Sequence, residues 1–158
     1  MTTSAAQRDN VHIRPAERAD LLEVVRIEQA SFPQPWPLGA FERHLDKPGF
    51  LVAADGPVVA GYVVADTVPN AGRDLGHIKD LAVHPEYRSH GLGSQLLSRG
   101  LAVLASRGVP QAKLEVRASN DPARSLYDEH GFKEHHRVPS YYADGEDALV
   151  LVTDLRGR

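Results

Sequence analysis

The residues best suited to chemistry lie in a basic, glycine-containing stretch, Arg88-Ser89-His90-Gly91-Leu92-Gly93-Ser94. A strand-like run ends just before it at His84-Pro85, and a helical pattern follows it. Glycine lets the backbone turn tightly and approach a ligand closely, and the first turn of a helix offers N–H groups that have no intrahelical partner. With Arg88 and the positive end of the helix dipole, these N–H groups are suited to bind a pyrophosphate.

The spacing excludes two other phosphate loops. A dinucleotide fingerprint reads G-x-G-x-x-G, but Gly91 and Gly93 are followed by Leu96 where the third glycine should stand. A Walker loop ends in Gly-Lys-Ser/Thr, and the chain contains no such sequence. What remains is R-x-x-G-x-G directly after a strand, which is also compatible with an ordinary strand-to-helix turn.

The composition restricts the class of protein. With 158 residues, 42% of them hydrophobic, and a net charge of −3, the chain suits one globular domain over residues 11–158, behind a disordered tail at 1–10. The charge does not favour nucleic acid as a partner, and the absence of cysteine excludes thiolate catalysis and thiolate metal ligands. Without a membrane-length apolar run or a secretory signal, we expect a cytoplasmic protein with no membrane partner. The oligomeric state stays open.

Hydrophobic periodicity and glycine and proline punctuation predict the elements that position the loop. Strand-like and helical runs follow the order β-α-α-β-β-β-α-β-α-β-β, with a loop over residues 69–74 between the third and fourth strands. This order predicts a mixed β-sheet flanked by helices, an α/β (α+β) fold. The first two helices are separated by a proline-rich loop, residues 31–37. Its Phe32 and Trp36 either close the core edge or form an apolar wall for a substrate.

The second half of the chain carries a longer motif, Leu114-Glu115-Val116-Arg117-Ala118-Ser119-Asn120, followed by Ala123, Leu126-Tyr127 and Gly131-Phe132. With the R-x-x-G-x-G loop, it resembles the LEVRxxN…A…LYxxxGF signature of the GNAT superfamily of N-acetyltransferases. Tyr141-Tyr142 and Glu146-Asp147-Ala148-Leu149 are similar to the end of its RimI-type, ribosomal-protein-alanine branch. The resemblance covers about residues 11–155 and implies the GNAT fold, with the sheet splayed between the fourth and fifth strands.

The resemblance also implies acetyl-CoA as the cosubstrate. The residues of this chain that match the pyrophosphate loop are Arg88, Ser89, His90, Gly91, Leu92, Gly93 and Ser94. The backbone of Leu81, Ala82 and Val83 matches the strand that pairs with the pantetheine arm. Asn120 matches a coenzyme contact and is also a candidate cap for the next helix. Because no cysteine nucleophile exists, we expect direct transfer in a ternary complex.

Acetyl transfer to an amine requires removal of a proton from the amine and delivery of a proton to the leaving thiolate. Strand alternation puts Glu115 on the face opposite its two apolar neighbours. The resemblance assigns Glu115 the role of general base, through water, and Tyr127 that of general acid. The alternatives are a surface carboxylate paired with Lys113 or Arg117, and a half-buried packing tyrosine.

On the acceptor side, the resemblance implies that Tyr141 and Tyr142 hold the substrate backbone. Ordinary cross-strand packing is the alternative for the tyrosine pair. Related catalytic subunits often carry a Glu in a Leu-Pro-Glu-Asn context, where this chain has Gln34. That difference leaves open the preference for Ala, Ser or Thr at the first acceptor position.

The histidines do not predict a metal site. His135 and His136 are adjacent rather than four residues apart on a helix, and His77, His84 and His90 lack a carboxylate or cysteine pattern. From the resemblance we expect an enzyme that acetylates the N-terminal α-amine of a protein, such as a ribosomal protein. The alternatives are acetylation of lysine or a small amine on the same scaffold, and a non-catalytic CoA-binding module.

Overall fold

A computed structural model describes residues 11–158 of the chain, so the tail predicted at 1–10 lies outside the described residues. The observed order of strands and helices is the predicted one. The elements are β1 (Val11–Pro15), α1 (Leu21–Ser31), α2 (Leu38–Glu42), β2 (Phe50–Asp55), β3 (Val58–Asn70), β4 (Arg73–Val83), α3 (Leu92–Ser106), β5 (Gln111–Arg117), α4 (Asp121–Glu129), β6 (Lys133–Val138) and β7 (Ala148–Asp154).

The strands form one mixed sheet in the order β1-β2-β3-β4-β5-β7-β6, which confirms the predicted fold class. β1 pairs antiparallel with β2, and β7 pairs antiparallel with both β5 and β6. β4 and β5 are parallel, with registered pairs Gly76–Ala112 and His77–Lys113. Both strands continue well beyond these two pairs. The splay expected between the fourth and fifth strands stays a prediction.

The described chain divides into two compact units. The first comprises residues 11–64 and 80–100. Its core is built from the apolar face of α1 and from aromatic side chains of α2, β2 and β3, including Val24, Phe41, Phe50 and Tyr62, all at most 1% exposed. The spacing of Leu21, Val24 and Ile27 on α1 explains why that helix buries one face.

The second unit comprises Ala65–Lys79 and Leu101–Arg158. β5 alternates as a strand with one buried face should, because Ala112, Leu114 and Val116 are buried while the intervening residues are half-buried. β7 supplies buried Leu149 and Leu151. This alternation turns the side chain of Glu115 away from the buried face of its strand, as predicted.

The connection between β3 and β4 differs from the expectation. We expected a loop over residues 69–74, but the strands extend to Asn70 and from Arg73, so the turn consists of Ala71 and Gly72. Both turn residues have positive φ, 49° and 87°, which is the backbone of a tight hairpin turn. The sequence did not predict this turn because its first residue is Ala71, whereas the usual turn patterns are Asn-Gly or Gly-Gly. None of the described helices is long and apolar enough to cross a membrane.

Candidate active site

The glycine loop lies in the first unit, between a 3₁₀ turn (Pro85–Tyr87) and the start of α3 at Leu92. Ser89 and Gly91 have positive φ, 67° and 78°, so the chain reverses sharply before the helix. A Cβ added to Gly91 would meet no atom within 4 Å. The open space beside Gly91, the N-terminus of a 15-residue helix and the nearby Arg88 together fit an anionic group such as a pyrophosphate.

Arg88 also ties the loop to the rest of the first unit. Its Nε donates to the carbonyl of Val83 at 3.0 Å, and its terminal nitrogen donates to Ser31 Oγ at 3.1 Å. These bonds fix the loop to the end of β4 and to the end of α1. His90 and Leu92 line a small cavity of about 50 Å³ in this unit.

The β4 segment before the loop packs closely against β3. A Cβ on Gly61 would lie 2.9 Å from the carbonyl oxygen of Ala82 and 3.0 Å from Leu96 Cδ1. Glycine at this position therefore allows the backbone of Ala82 and Val83 to approach β3 closely. The N–H of Leu81 donates to Asp80 Oδ1 at 2.9 Å.

A carboxylate–imidazole pair lies in the second unit. Glu115 Oε1 is 3.1 Å from His77 Nε2, and Glu115 Oε2 is 3.3 Å from Lys113 Nζ. The Lys113 contact is an ion pair without hydrogen-bond geometry, since Oε2 is buried and lacks a hydrogen-bond partner. The Glu115 and His77 side chains are 18% and 17% exposed, so the pair is sheltered but reachable.

The surroundings of Glu115 favour its ionised form. Burial acts to raise the pKa of Glu115, but the hydrogen bond from His77 and the charges of His77 and Lys113 outweigh it and lower the pKa. Because an ionised carboxylate only accepts, Nε2 of His77 carries the shared hydrogen. In neutral His77 the other ring nitrogen, Nδ1, therefore carries the lone pair that can take up a proton.

Asn120 caps α4, since its side-chain oxygen accepts from the N–H of Ala123 at 3.3 Å. Tyr127 lies on this helix and is half-buried, with its ring 5.9 Å from that of Phe132 in an edge arrangement. The carbonyl of Tyr127 accepts from the N–H groups of His130 and Phe132, which closes the helix at Gly131.

The tyrosine pair lies in the loop between β6 and β7. The rings of Tyr141 and Tyr142 are 5.0 Å apart and nearly perpendicular, and the Arg117 guanidinium lies 4.1 Å from the Tyr142 ring centre. Tyr141 lines a cavity of about 470 Å³ in the second unit, together with Leu75, Lys113, Glu115, His135 and His136. The structure therefore brings Tyr141 and Glu115 to one cavity.

A β-bulge in β6 explains how two adjacent histidines reach this cavity. The register with β7 shifts between Glu134 and His136, so the side chains of His135 and His136 do not simply alternate. Their Nδ1 atoms are 2.8 Å apart, so one ring donates a hydrogen bond to the other. Among residues 11–158, no group of three or more His, Cys, Asp or Glu side chains is arranged to hold a metal ion.

Phe32 and Trp36 pack against the core of the first unit. This packing is the first of the two roles considered for them, closing the edge of the core. Trp36 lies 5.2 Å from Phe41 between ring centres and stacks on His44. Its backbone N–H donates to Glu28 Oε2 at 2.9 Å, so a buried carboxylate holds the proline-rich loop.

Glu28 belongs to a buried polar cluster that the sequence analysis missed. Tyr62 donates to Glu28 Oε1 at 2.6 Å, and the carboxyl of Asp80 interacts with that of Glu28. Glu28 is 2% exposed, and Asp80 Oδ2 is buried without a donor. Burial makes the largest contribution and the Glu28 carboxyl the next largest, and together they raise the pKa of Asp80 well above its usual range.

Comparison with known proteins identifies relatives over most of the chain. The profile of the Acetyltransferase (GNAT) family matches residues 21–132. An N-alpha-acetyltransferase of Sulfolobus acidocaldarius is 34% identical over an alignment 167 residues long, which covers 98% of this chain and 99% of the relative. The ribosomal protein bS18-alanine N-acetyltransferase of Escherichia coli is 35% identical over 151 residues, covering 90% and 97%. The crystal structure of the Escherichia coli enzyme matches with a TM-score of 0.79 at 30% identity, over 92% of this chain and 94% of that one.

Proposed function

The chain belongs to the GNAT acetyltransferase family, and we propose that it moves the acetyl group of acetyl-CoA to the N-terminal α-amine of a protein in the cytoplasm. The observation that carries the proposal is the His77–Glu115 pair, whose carboxylate lines a cavity shared with Tyr141. The names of two relatives, an N-alpha-acetyltransferase and a bS18-alanine N-acetyltransferase, support an α-amine acceptor.

Acetyl-CoA supplies the activated acetyl thioester when it is bound. The residues proposed to hold it are those of the glycine loop, with Arg88 and the N–H groups at the start of α3 facing its pyrophosphate. The left-handed Gly91 with open space beside it supports this assignment. The backbone of Leu81 to Val83 and the side chain of Asn120 are proposed as further coenzyme contacts.

Proton removal from the acceptor amine is assigned to Glu115 together with His77. A protein α-amine has a reference pKa of about 7.7–8.0, so at neutral pH most of it must lose a proton before attack. The lowered pKa of Glu115 makes the carboxylate alone a weak base. Its hydrogen bond to Nε2 of His77 leaves Nδ1 of the imidazole with the lone pair that can take up the proton.

Tyr127 is proposed to return a proton to the coenzyme thiolate. Its position on α4, whose N-terminus Asn120 caps, gives the ring a fixed backbone attachment. On the acceptor side, Tyr141 and Tyr142 are proposed to hold the first residues of the acceptor, with Phe32 and Trp36. Small first residues such as Ala, Ser or Thr are the proposed preference, which the bS18-alanine N-acetyltransferase among the relatives supports.

Intact-mass measurement on a peptide panel tests this function. The panel varies the first two residues of one sequence and includes a matched peptide with a blocked N-terminus and an internal lysine, together with simple free amines. We expect a single acetyl group on peptides with a free α-amine, most rapidly on those that begin with a small residue. Acetylation confined to the lysine peptide or to the free amines would contradict the proposed acceptor. Acetyl-CoA binding without any acetylation would leave only a coenzyme-binding module.

A further inference from the structure

The loop that carries the tyrosine pair has little secondary structure of its own. It spans residues 139–147 between β6 and β7, and most of its side chains are exposed. Within the loop, Tyr142 N–H donates to the carbonyl of Glu146, and Gly145 N–H donates to that of Tyr142. The carboxylate of Asp147 also accepts from the N–H of Ser140 and from Arg137, and these two bonds restrain the ends of the loop.

Arg117, the last residue of β5, restrains the middle of this loop. Its Nη1 nitrogen donates to Asp144 Oδ2 at 2.8 Å and to Glu146 Oε1 at 3.1 Å, while its guanidinium lies against the ring of Tyr142. The Arg117 side chain is 16% exposed, whereas Asp144 is 52% and Glu146 25% exposed, so the contact with Glu146 is the better sheltered of the two. One side chain thus contacts three residues of the loop.

Glu146 extends the connection toward α4. Its second carboxylate oxygen, Oε2, accepts from the N–H of Ser119 at 2.8 Å, and the N–H of Ala118 donates to the carbonyl of Asp147 at 3.1 Å. The loop is therefore tied to the short segment that links Glu115 on β5 to Asn120, the cap of α4.

The path from Arg117 to the cavity passes through two side chains, Tyr142 and Tyr141. Arg117 lies on the face of Tyr142, Tyr142 packs against Tyr141, and Tyr141 lines the cavity that also contains Glu115. Arg117 itself is not among the residues that line this cavity. A change at Arg117 therefore reaches the cavity through the positions of the two tyrosine rings.

We propose that Arg117 is a positioning residue that sets the affinity for the acceptor by clamping the 139–147 loop through Asp144, Glu146 and Tyr142. The proposal rests on the proposed function, because it assigns the tyrosine loop to the acceptor. The planar guanidinium can contact two carboxylates and an aromatic face at once, whereas a lysine ammonium is a single point charge. Lysine at this position should therefore restore only part of the effect.

The test compares Arg117→Met and Arg117→Lys with Arg156→Met. Arg156 is the matched control, since it forms an exposed ion pair with Asp154 in the same unit but outside the loop. With the peptide that the parent acetylates best, Arg117→Met should raise the acceptor KM by about tenfold, or about 1.4 kcal/mol. The Kd for acetyl-CoA and the kcat at saturating peptide should change little, and Arg156→Met should match the parent.

Amide hydrogen exchange measures the restraint on the loop independently of the acetylation assay. In Arg117→Met, the amides of Tyr142, Gly145 and Ser119 should exchange faster than in the parent, while amides of β5 and β7 keep their protection. Glu146→Gln, which removes the ion pair and keeps an acceptor for Ser119, is the second variant if Arg117→Met does not fold.

The exchange and acetylation results test different parts of the proposal. Unchanged exchange in the loop overturns the clamp. Faster exchange with an unchanged acceptor KM, or an equal loss of affinity for acetyl-CoA, overturns the role in acceptor binding. If the parent acetylates no peptide, the proposed function fails and the acceptor role fails with it, and the exchange data alone then decide whether the clamp exists.

Discussion

Asp80 is expected to destabilise the folded chain at neutral pH, and Asp80→Asn should relieve this. In the parent, Asp80 Oδ1 accepts from the N–H of Leu81, while buried Oδ2 has no donor and lies with the Glu28 carboxyl. An asparagine keeps the acceptor for Leu81 and offers an N–H₂ group to Glu28.

The expected size follows from the cost of a buried polar atom left without a partner, about 1–3 kcal/mol. A gain of about 2 kcal/mol corresponds to a rise in Tm of roughly 4–8 °C for a chain of this length. The raised pKa of Asp80 determines how the difference in stability between the parent and Asp80→Asn changes with pH. Below the unfolded pKa of about 3.9 both states are protonated, so parent and variant should be equally stable. As pH rises through the pKa of Asp80 in the folded state, the free energy of unfolding of the parent falls, whereas that of Asp80→Asn is not affected by this ionisation.

Urea unfolding of the parent and of Asp80→Asn at pH values from 4 to 8 measures the difference. Glu28→Gln is the contrasting variant from the same cluster, because Trp36 N–H and Tyr62 OH donate to different oxygens of Glu28 and glutamine replaces one of these oxygens with an N–H₂ donor. We expect Glu28→Gln to be less stable than the parent. An Asp80→Asn variant that is less stable than the parent at pH 7–8 would refute the reasoning.

Three further substitutions test separate parts of the structure. Tyr127→Phe should lower kcat by about 10²–10⁴-fold with unchanged calorimetric affinity for acetyl-CoA, and an unchanged kcat would assign the ring to packing. Gly91→Ala should weaken acetyl-CoA binding in calorimetry, whereas Gly108→Ala, which has a similar φ of 81° against 78° and equally open space, should change stability alone. Gly61→Ala should lower the free energy of unfolding by about 1–3 kcal/mol because its Cβ meets a backbone carbonyl at 2.9 Å; Gly39→Ala, which meets nothing within 4 Å, is the control, and equal stability of both would contradict the close approach.

The order of elements was predictable because it depends on local patterns. The helical spacing of Leu96, Leu97, Leu101 and Leu104 and the alternation along β5 are properties of neighbouring residues, and both reappear in the structure as buried faces. The place of Glu115 on β5 followed from the same alternation. The turn at Ala71 and Gly72 was missed because its first residue has none of the usual turn chemistry.

The partners of the candidate site were harder to predict because they are distant in the sequence. His77 and Glu115 are separated by 38 residues and meet only through the register of β4 and β5. A usable signal did exist for the buried acids. Glu28 follows Val24 by four residues on α1, and Asp80 lies two residues from each of buried Ile78 and Ala82 on β4, so both carboxyls fall on apolar faces.

The pH dependence of Glu115→Gln tests the central claim most directly. Glutamine keeps the shape of the side chain but cannot take up the acceptor proton or hold His77 as an ionised carboxylate does. Measured on the best acceptor peptide, kcat/KM of the variant should fall most at low pH and recover partly as pH rises, because the free α-amine then becomes abundant without assistance. The affinity for acetyl-CoA should change little. A variant profile parallel to that of the parent, lower by one constant factor at every pH, would contradict a role of Glu115 in proton removal.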